Sequence, residues 1–261
     1  MWWLTLTSLL ATAATPEELQ GLVVEFNQHA QLRIPQLSAR QAEQLLDGDV
    51  VRVLFPAEDP EAPSAAVAFM ISPVARPALW IAAQDPHTQV DPGLTEKELQ
   101  HLGTDHAIWY GYWDLPRPVR DRQWVVESRN THRVSAATEG RAWEHTWNLV
   151  EDGLSTARPF IEAGKVGAIT LEQVDTAIYT PVNQGSWFMF SLDDGQTMLG
   201  YQATSVVGGA IPTWVVTKLV MSRLESILRD LEVRAQTWSP THYGASHAAV
   251  PGGDGQPIPR F

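Results

Sequence analysis

The chain has 261 residues, of which 44% are hydrophobic and 18% are charged, and its formal net charge is −12 at pH 7. This length and apolar content suffice for one domain with a sizeable core, and two full domains would strain them. The negative charge disfavours stable binding to nucleic acid or to anionic lipid, because an acidic surface repels a polyanion. Cysteine is absent, which excludes disulfides, thiolate metal ligands and a catalytic thiol.

The first residues of the chain form an apolar run without a charged side chain. Ala11, Thr12 and Ala13 match the small-x-small pattern of a signal-peptidase site, and the run is too short to span a bilayer comfortably. We therefore expect residues 1–14 to be an export signal and the protein to be periplasmic or secreted. Because no Lys or Arg precedes the run, a mis-assigned start and an apolar N-terminal arm are the alternatives.

Two helices are predicted directly after this run, because each begins with a capping box. Thr15 stands three residues before Glu18, and Ser38 stands three residues before Gln41. Each hydroxyl can accept a hydrogen bond from the third helical backbone N–H, while the side chain at that position bonds back. The second helix should end at Gly48, since glycine readily adopts the left-handed conformation of a helix C-cap.

Short strands account for most of the remaining chain, and one further helix is expected around residues 79–81. Trp143, His145 and Trp147 alternate with polar residues, which is typical of a strand with one buried face. Because several antiparallel strands lie between early helices and one late helix, the sequence predicts an α+β fold. The predicted strands cover residues 50–55, 65–71, 106–115, 119–130, 143–150, 171–179, 185–192 and 196–206.

A long amphipathic helix is predicted after the last hairpin. Its apolar residues are spaced four, four, three and four positions apart, which places them on one helical face: Val216, Val220, Leu224, Ile227 and Leu231. Residues 239–261 are rich in Pro, Gly, Ser, Ala and His and have almost no periodicity. We expect them to form a disordered tail.

Four blocks of the sequence match one known family, and the last block is the most specific. They start at Leu46-x-Gly48, at Ala68, at Pro118 and at Gly185-x-Trp187, and the last continues through Thr197, Tyr201, Gly208-Gly209, Ile211-Pro212 and Trp214. On these residues the chain resembles the START (steroidogenic-acute-regulatory-related lipid transfer) domain. This domain belongs to the helix-grip superfamily, together with the birch-pollen-allergen proteins and the polyketide cyclases. The match covers about residues 45–236, and residues 154–168 have no clear counterpart.

The resemblance implies a helix-grip fold over residues 15–238. In this fold a curved antiparallel β-sheet wraps around the long C-terminal helix, and an apolar cavity lies between them. The resemblance also implies binding of a lipid or other apolar small molecule without catalysis, with transfer of that ligand and transient membrane contact as extensions. We expect a monomer with no nucleic-acid partner and no cofactor.

Eleven tryptophans could build either the core or the wall of such a cavity, because an indole combines a large apolar surface with one hydrogen-bond donor. Strand alternation and the helical stripe select the residues that should face the cavity. The predicted ligand-binding residues are Trp109, Arg122, Trp124, Trp143, His145, Trp147, Trp187, Met189, Tyr201, Val216, Val220 and Leu224.

Arg122 is the charged residue expected on the inner face, where a buried guanidinium needs a partner. It could bind a ligand carboxylate or phosphate through two parallel hydrogen bonds. A structural ion pair with an internal acid such as Asp175 is the favoured alternative.

Two other functions fit the same sequence. A cyclase or aromatase would use His145, Arg122 or Tyr201 for proton transfer in the cavity. An interaction domain would fill the cavity with its own side chains. The histidines show no close pair at ligand spacing and no Gly-x-Ser-x-Gly motif occurs, so neither a metal site nor a catalytic residue is predicted.

Overall fold

The computed structural model describes residues 14–59, 61–85, 93–209, 213–238 and 250–258. The helices are α1 (Pro16–His29), α2 (Ala39–Leu46), α3 (Arg76–Ala83), α4 (His132–Ala137), α5 (Gly153–Glu162), α6 (Leu171–Thr176) and α7 (Thr213–Trp238). The strands are β1 (Val51–Phe55), β2 (Ala65–Ser72), β3 (Leu94–His101), β4 (His106–Trp113), β5 (Arg122–Asn130), β6 (Ala142–Leu149), β7 (Ile178–Tyr179), β8 (Val182–Ser191) and β9 (Thr197–Val206).

Within these ranges the strands form one nine-stranded, curved and open sheet with the order β1-β2-β9-β8-β6-β5-β4-β3, and the short β7 joins β5. All neighbouring strands on the main path pair antiparallel, whereas β7 runs parallel to β5. The long helix α7 packs on the inner face against β1, β2, β9 and α3. The predicted α+β helix-grip architecture is therefore confirmed.

The two capping boxes expected near the N-terminus are present. Thr15 Oγ1 accepts from the Glu18 backbone N–H at 3.2 Å, and Ser38 Oγ accepts from the Gln41 backbone N–H at 3.3 Å. The helix α1 buries one face against the outer side of the sheet, where the Phe26 ring lies 5.3 Å from the Phe190 ring. The local start signals thus position a helix that covers the sheet from outside.

The strand predicted over residues 171–179 is wrong, because most of this segment is helix α6. Thr170 and Gln173 form a third capping box, which nucleates a helical turn, and Val174 is buried in the core beneath it. Only Ile178 and Tyr179 are extended. The alternation of apolar residues in such a short segment could not separate a strand from a helix.

The outer face of β4 and β5 is also buried, although it carries polar residues such as Gln123. The helices α5 and α6 cover this face and form a separate apolar core with Tyr110 and Val125. The Gln123 side chain is fully buried and accepts from the Tyr110 hydroxyl at 3.1 Å, while its amide donates to the Val174 carbonyl at 2.7 Å. Residues 154–168, for which the sequence offered no counterpart, supply much of this cover.

The chain end does not behave entirely as the disordered tail that the sequence predicted. Residues 250–258 pack against the sheet, where Pro251 and Ile258 are buried and the Pro251 carbonyl accepts from the Trp80 indole N–H at 3.0 Å. Glycine and proline lack long side chains, so this segment can lie flat against an indole. Residues 239–249 and residues 1–13 are outside the described ranges, and the export signal stays a prediction.

Among the helices that the structure describes, none combines the length and the apolar character that a membrane span requires.

Candidate functional site

A cavity of about 430 Å³ lies between the inner face of the sheet and α7. Its walls come from β3, β4, β5, β6, β8 and β9, and it extends to the end of α3. This volume falls in the lower half of the ~300–1,000 Å³ range that is usual for small-molecule sites. Among the residues that the structure describes, no side chain fills this space.

Aromatic rings dominate the cavity wall. Each ring lies at an inward-facing position of its strand, and Trp109 and Trp113 share a face of β4 because side chains an even number of residues apart point to the same side of a sheet. The Tyr201 ring lies 4.6 Å from the Trp187 ring and 5.5 Å from the Trp147 ring. The aromatic residues that line the cavity are Trp109, Trp113, Trp124, Trp147, Trp187 and Tyr201.

Two glycines make room for these rings. Gly111 pairs with Trp124 across β4 and β5, and a Cβ atom at position 111 would lie only 2.2 Å from the Trp124 indole. Gly185 pairs with Trp147 across β6 and β8, and a Cβ atom there would lie 2.3 Å from the Trp147 indole. Each indole therefore lies over the neighbouring strand, which spreads the ring along the cavity wall.

Polar side chains on the wall fix the orientation of two indoles. Trp109 Nε1 donates to Ser128 Oγ at 3.1 Å, and Trp147 Nε1 donates to Asn183 Oδ1 at 3.1 Å. Because Ser128 and Asn183 line the cavity as well, these bonds satisfy the only polar group of each ring at the wall itself. What the two rings offer a ligand is thus apolar surface.

His145 is the titratable group at the centre of β6. Its Nδ1 lies 2.7 Å from Asn130 Oδ1, and burial lowers the pKa of the imidazole to about 4. The ring is therefore neutral at pH 7. With Nδ1–H donating to the amide oxygen, Nε2 is left as a hydrogen-bond acceptor.

Glu96 on β3 is a cavity residue that the sequence did not indicate. Glu96 borders the cavity and is an exposed residue of the edge strand, and the protein atoms around its carboxyl group raise its pKa. Burial also raises the pKa of the Tyr201 hydroxyl, and the negative charge of Glu96 raises it further. Glu96 and Tyr201 are therefore close enough for the charge of the carboxylate to act on the hydroxyl.

The polar sequence of β3 explains why Glu96 was missed. This strand lies at the edge of the sheet, where charged residues are common because they prevent pairing with other chains. Its register also shifts between Glu98 and Gln100, which breaks the alternation. The one available signal was that Leu94 and Glu96 share a face.

The apolar stripe of α7 divides into two faces. Leu224, Leu228, Leu231 and Ala235 are buried in the core against β2 and α3. The adjacent face borders the cavity with a mixture of apolar and charged side chains, namely Leu219, Val220, Arg223, Ser226, Ile227, Asp230 and Arg234.

The structure brings together much of the predicted site. Its members that line the cavity are Trp109, Trp124, His145, Trp147, Trp187, Tyr201 and Val220. Those that lie elsewhere are Arg122, Trp143, Met189, Val216 and Leu224, all of which are buried. Whether the first group contacts a ligand stays a prediction.

Arg122 is buried outside the cavity. Its partners are neither a ligand anion nor the internal acid that the sequence suggested. The guanidinium donates to the carbonyl oxygens of Val207 at 2.5 Å and of Gly208 at 2.9 Å, and to that of Arg120. The chain reverses after β9 through a left-handed Gly208, with φ of 69°, which brings these carbonyls to the arginine. Asp175 pairs instead with Arg158. Arg122 therefore anchors the connection between β9 and α7.

Trp143, Met189 and Leu224 belong to the packed part of the fold, and Val216 is buried on α7 outside that cluster. The Trp143 ring lies 5.2 Å from the Trp80 ring and 3.9 Å from the Arg76 guanidinium. Met189 and Leu224 are fully buried in the same cluster as Trp80. The alternation of β6 and β8 is as predicted, but α3 and α7 fill the space in front of these residues.

Solved structures with the same arrangement are found in several organisms, although no protein-family model and no curated protein matches the sequence. Human STARD10 has a TM-score of 0.52 and 12% identity, and the match covers 81% of this chain and 85% of that chain. Human StAR-related lipid transfer protein 5 has a TM-score of 0.52 and 13% identity, with 85% and 98% covered.

A bacterial structure is similar as well. The STAR-related lipid transfer protein from Xanthomonas axonopodis has a TM-score of 0.50 and 17% identity, and the match covers 71% of this chain and 99% of that chain. At these identities the likeness concerns the fold. The predicted resemblance is confirmed at that level, and the chain has the helix-grip fold of the START lipid-transfer domains.

Proposed function

We propose that this protein binds an apolar small molecule in the cavity beneath α7 and shields it from water. The observation that carries the proposal is the aromatic wall: six large rings border one cavity of about 430 Å³ instead of filling the core. A compact ligand with flat or ring-shaped apolar surface is complementary to such a wall.

The expected energetics are those of a mainly apolar site. A ligand that buries about 300 Å² of apolar surface would gain roughly 7 kcal/mol from desolvation. Its loss of translational and rotational freedom costs several kcal/mol. The apolar walls alone therefore support weak binding, and the polar groups on the wall must orient the ligand and add affinity.

The structural neighbours support an apolar ligand through the names they carry. Human StAR-related lipid transfer protein 5 and the Xanthomonas axonopodis protein are both described as lipid-transfer proteins. The ligand proposed for this chain is of the same general kind.

The cavity tryptophans allow a direct test. The protein would be purified without removal of bound lipid and examined by native mass spectrometry and organic extraction, and titrated with 2-naphthylmethanol while tryptophan fluorescence is recorded. We expect an extractable apolar compound or saturable quenching. The proposal fails if no compound is recovered and no probe in a panel of apolar rings binds saturably.

A plugged variant supplies the structural control. Ala203 lines the cavity, so Ala203→Phe should fill part of it and weaken probe binding by about tenfold or more. Val24 is 48% exposed on the surface of α1, so Val24→Phe makes a comparable change far from the cavity and should leave binding unchanged. Circular dichroism of both variants would verify that they fold.

A further inference from the structure

Residues that pair across the strands arrange part of the cavity wall in rows, because directly opposed side chains lie on the same face of a sheet. His145 on β6 pairs with Trp187 on β8, and Trp187 pairs with Tyr201 on β9. Asn183 on β8 pairs with Ser205 on β9. All five residues line the cavity. We call the first set the histidine row and the second set the amide row.

The wall between these two rows is apolar. Trp147 on β6 pairs with Gly185 on β8, and Gly185 pairs with Ala203 on β9. The Trp147 indole lies over Gly185, and Ala203 adds only a methyl group to the wall. Asn183 and Trp187 are four positions apart on β8, so the two rows lie about 13 Å apart at about 3.3 Å per residue. A flat ligand of that length can therefore contact polar side chains at both ends.

The histidine row offers a hydrogen-bond acceptor. His145 Nδ1 lies 2.7 Å from Asn130 Oδ1, an oxygen that can only accept, so Nδ1 carries the proton and Nε2 of the neutral ring is an acceptor. Among the residues that the structure describes, none donates to this Nε2. Desolvation by the surrounding protein keeps the ring neutral at pH 7, because it lowers the pKa of the imidazole to about 4. A hydroxyl group of a ligand complements this nitrogen.

The amide row is extended by a buried hydroxyl. Thr180 lies three residues before Asn183, borders the cavity and is 2% exposed. Within the described part of the chain, its Oγ1 has no hydrogen-bond partner. The buried Thr138 and Thr197 differ, because their hydroxyls donate to backbone carbonyl groups at 2.8 Å and 2.9 Å. Since buried polar groups are normally paired, Thr180 has a hydroxyl available at this end of the cavity.

The charges around the cavity favour a neutral ligand. The amide row and Thr180 carry no charge, and Glu96 borders the cavity from β3, where its carboxylate would repel an anion. The other charged residues of the wall lie across from the sheet, after α3 and on α7, namely Asp85, Arg223, Asp230 and Arg234.

From this arrangement we infer that the ligand is a neutral flat ring compound with a hydroxyl group at each end, roughly 10–13 Å apart, one bound by His145 Nε2 and the other by Thr180 and the amide row. Its apolar body would lie against the Trp147 indole. A hydroxyl can donate to an imidazole nitrogen, and it can both donate to and accept from threonine and asparagine side chains. This inference rests on the proposed function and specifies the polar groups that orient the ligand.

A matched set of biphenyls separates recognition of two ends from apolar binding in general. We would titrate the full chain with biphenyl-4,4′-diol, biphenyl-2,2′-diol, biphenyl-4-ol and 4,4′-dimethoxybiphenyl by isothermal titration calorimetry. The 4,4′-diol has hydroxyls at opposite ends, the 2,2′-diol has both near the middle, and the dimethoxy compound lacks donors. We expect the 4,4′-diol to bind about tenfold more tightly than each of the others at pH 7.5.

Two variants each remove the partner at one end of the cavity. In Thr180→Val and in His145→Phe, the 4,4′-diol should lose about tenfold in affinity and bind no better than biphenyl-4-ol, which needs only one end. Thr180→Val should fold as the wild type does, because it removes a hydroxyl that has no partner in the described ranges. Thr176→Val makes the same change at an exposed position of α6 outside the cavity and should leave all four affinities unchanged.

The outcomes distinguish the two proposals. If biphenyl-4-ol binds saturably and the 4,4′-diol binds no better, the inference is wrong and apolar binding stands. Equal affinities for the 4,4′-diol and the 2,2′-diol would contradict the separation of the two rows. The inference also fails if the preference for the 4,4′-diol survives in Thr180→Val, whether or not His145→Phe folds. If none of the four compounds binds, the proposed function itself fails.

Discussion

The inner face of the sheet has two halves. In both halves the side chains alternate between the inner and the outer face, but one half is packed and the other borders a cavity. On the β2 side, Ala66 and Ala68 are small, and α7 packs against them with Leu224 and Leu228 to form a closed core. On the β3 to β6 side, large indoles and Glu96 border a cavity. Small residues under a helix allow close packing, whereas bulky rings laid over glycines line an open space. The periodicity of a strand indicates which face is inside but does not indicate whether that face is filled.

Among substitutions that test this difference, we expect the largest effect at Trp80, which lies in the packed half. Its ring is fully buried, contacts Trp143 at 5.2 Å and donates to the Pro251 carbonyl. Trp80→Ala should lower the free energy of unfolding by about 3–5 kcal/mol. Trp113→Ala in the cavity half should cost roughly half of that or less, because this ring already borders open space. Urea unfolding of both variants measures the difference, and equal losses would contradict the division into two halves.

An intermediate effect is expected at Gly111, where the missing side chain leaves room for the Trp124 indole in the cavity wall. In Gly111→Ala the new methyl group would lie 2.2 Å from the Trp124 ring, so the ring must move. We expect a loss of about 1–3 kcal/mol in stability together with weaker ligand binding. Gly21→Ala is the matched control, since no atom lies within 4 Å of the new group and alanine favours the helix by about 0.5–1 kcal/mol. A stable Gly111→Ala variant with unchanged binding would argue against the spacer role.

We expect a smaller effect of pH on the free energy of unfolding through Glu96, and the sign of this effect is defined. The protein atoms around this carboxyl raise its folded-state pKa above its unfolded value. The contribution of this carboxyl to the stability of the wild type is therefore fully present below its pKa in the unfolded state. It is lost as the pH rises through its pKa in the folded state. Glu96→Gln should be more stable relative to wild type at pH 7 than at pH 4.5, with Glu151→Gln as the reference. Urea midpoints at the two pH values test this, and a difference independent of pH would show that Glu96 is not desolvated.

The smallest effect is expected at His145, whose charge should not change near neutral pH. Because burial lowers its pKa to about 4, its imidazole resonances should stay constant between pH 5.5 and pH 8. NMR of the histidine ring nitrogens provides the measurement. A midpoint near 6.5 would mean that the ring is exposed to water, and the dry cavity wall on β6 would then be wrong.

The local signals in the sequence predicted the early helices well but did not distinguish every element. Capping boxes at Thr15 and Ser38 give the two N-terminal helices their starts, because the bonds involved span three residues. The same signal at Thr170 was overlooked, since the apolar pattern of residues 171–179 also fits a strand. The edge strand β3 escaped detection because its charged sequence resembles a loop.

The alternation of side chains along a strand predicted which residues of the candidate site point to the inner face, but it did not predict which of them line the cavity. Trp109, Trp124, Trp147, Trp187 and Tyr201 were assigned to the inner face, and the structure gathers them around one cavity. Trp143 and Met189 lie on the same face and are buried under α3 and α7. The difference depends on which helix lies in front of each residue, and that information is not contained in the strand.

The sequence by itself determined the starts of the two N-terminal helices, the inward face of the strands that it indicated and the long apolar stripe of the last helix, because these follow from hydrogen bonds and side-chain directions over a few residues. Only the tertiary structure decided that one half of the inner face is packed and the other encloses a cavity, because this depends on α3, α7 and residues 250–258 meeting the sheet from distant parts of the chain. It likewise decided that Arg122 serves the backbone while Glu96 faces the cavity, since strand pairing across the sheet sets the surroundings of both.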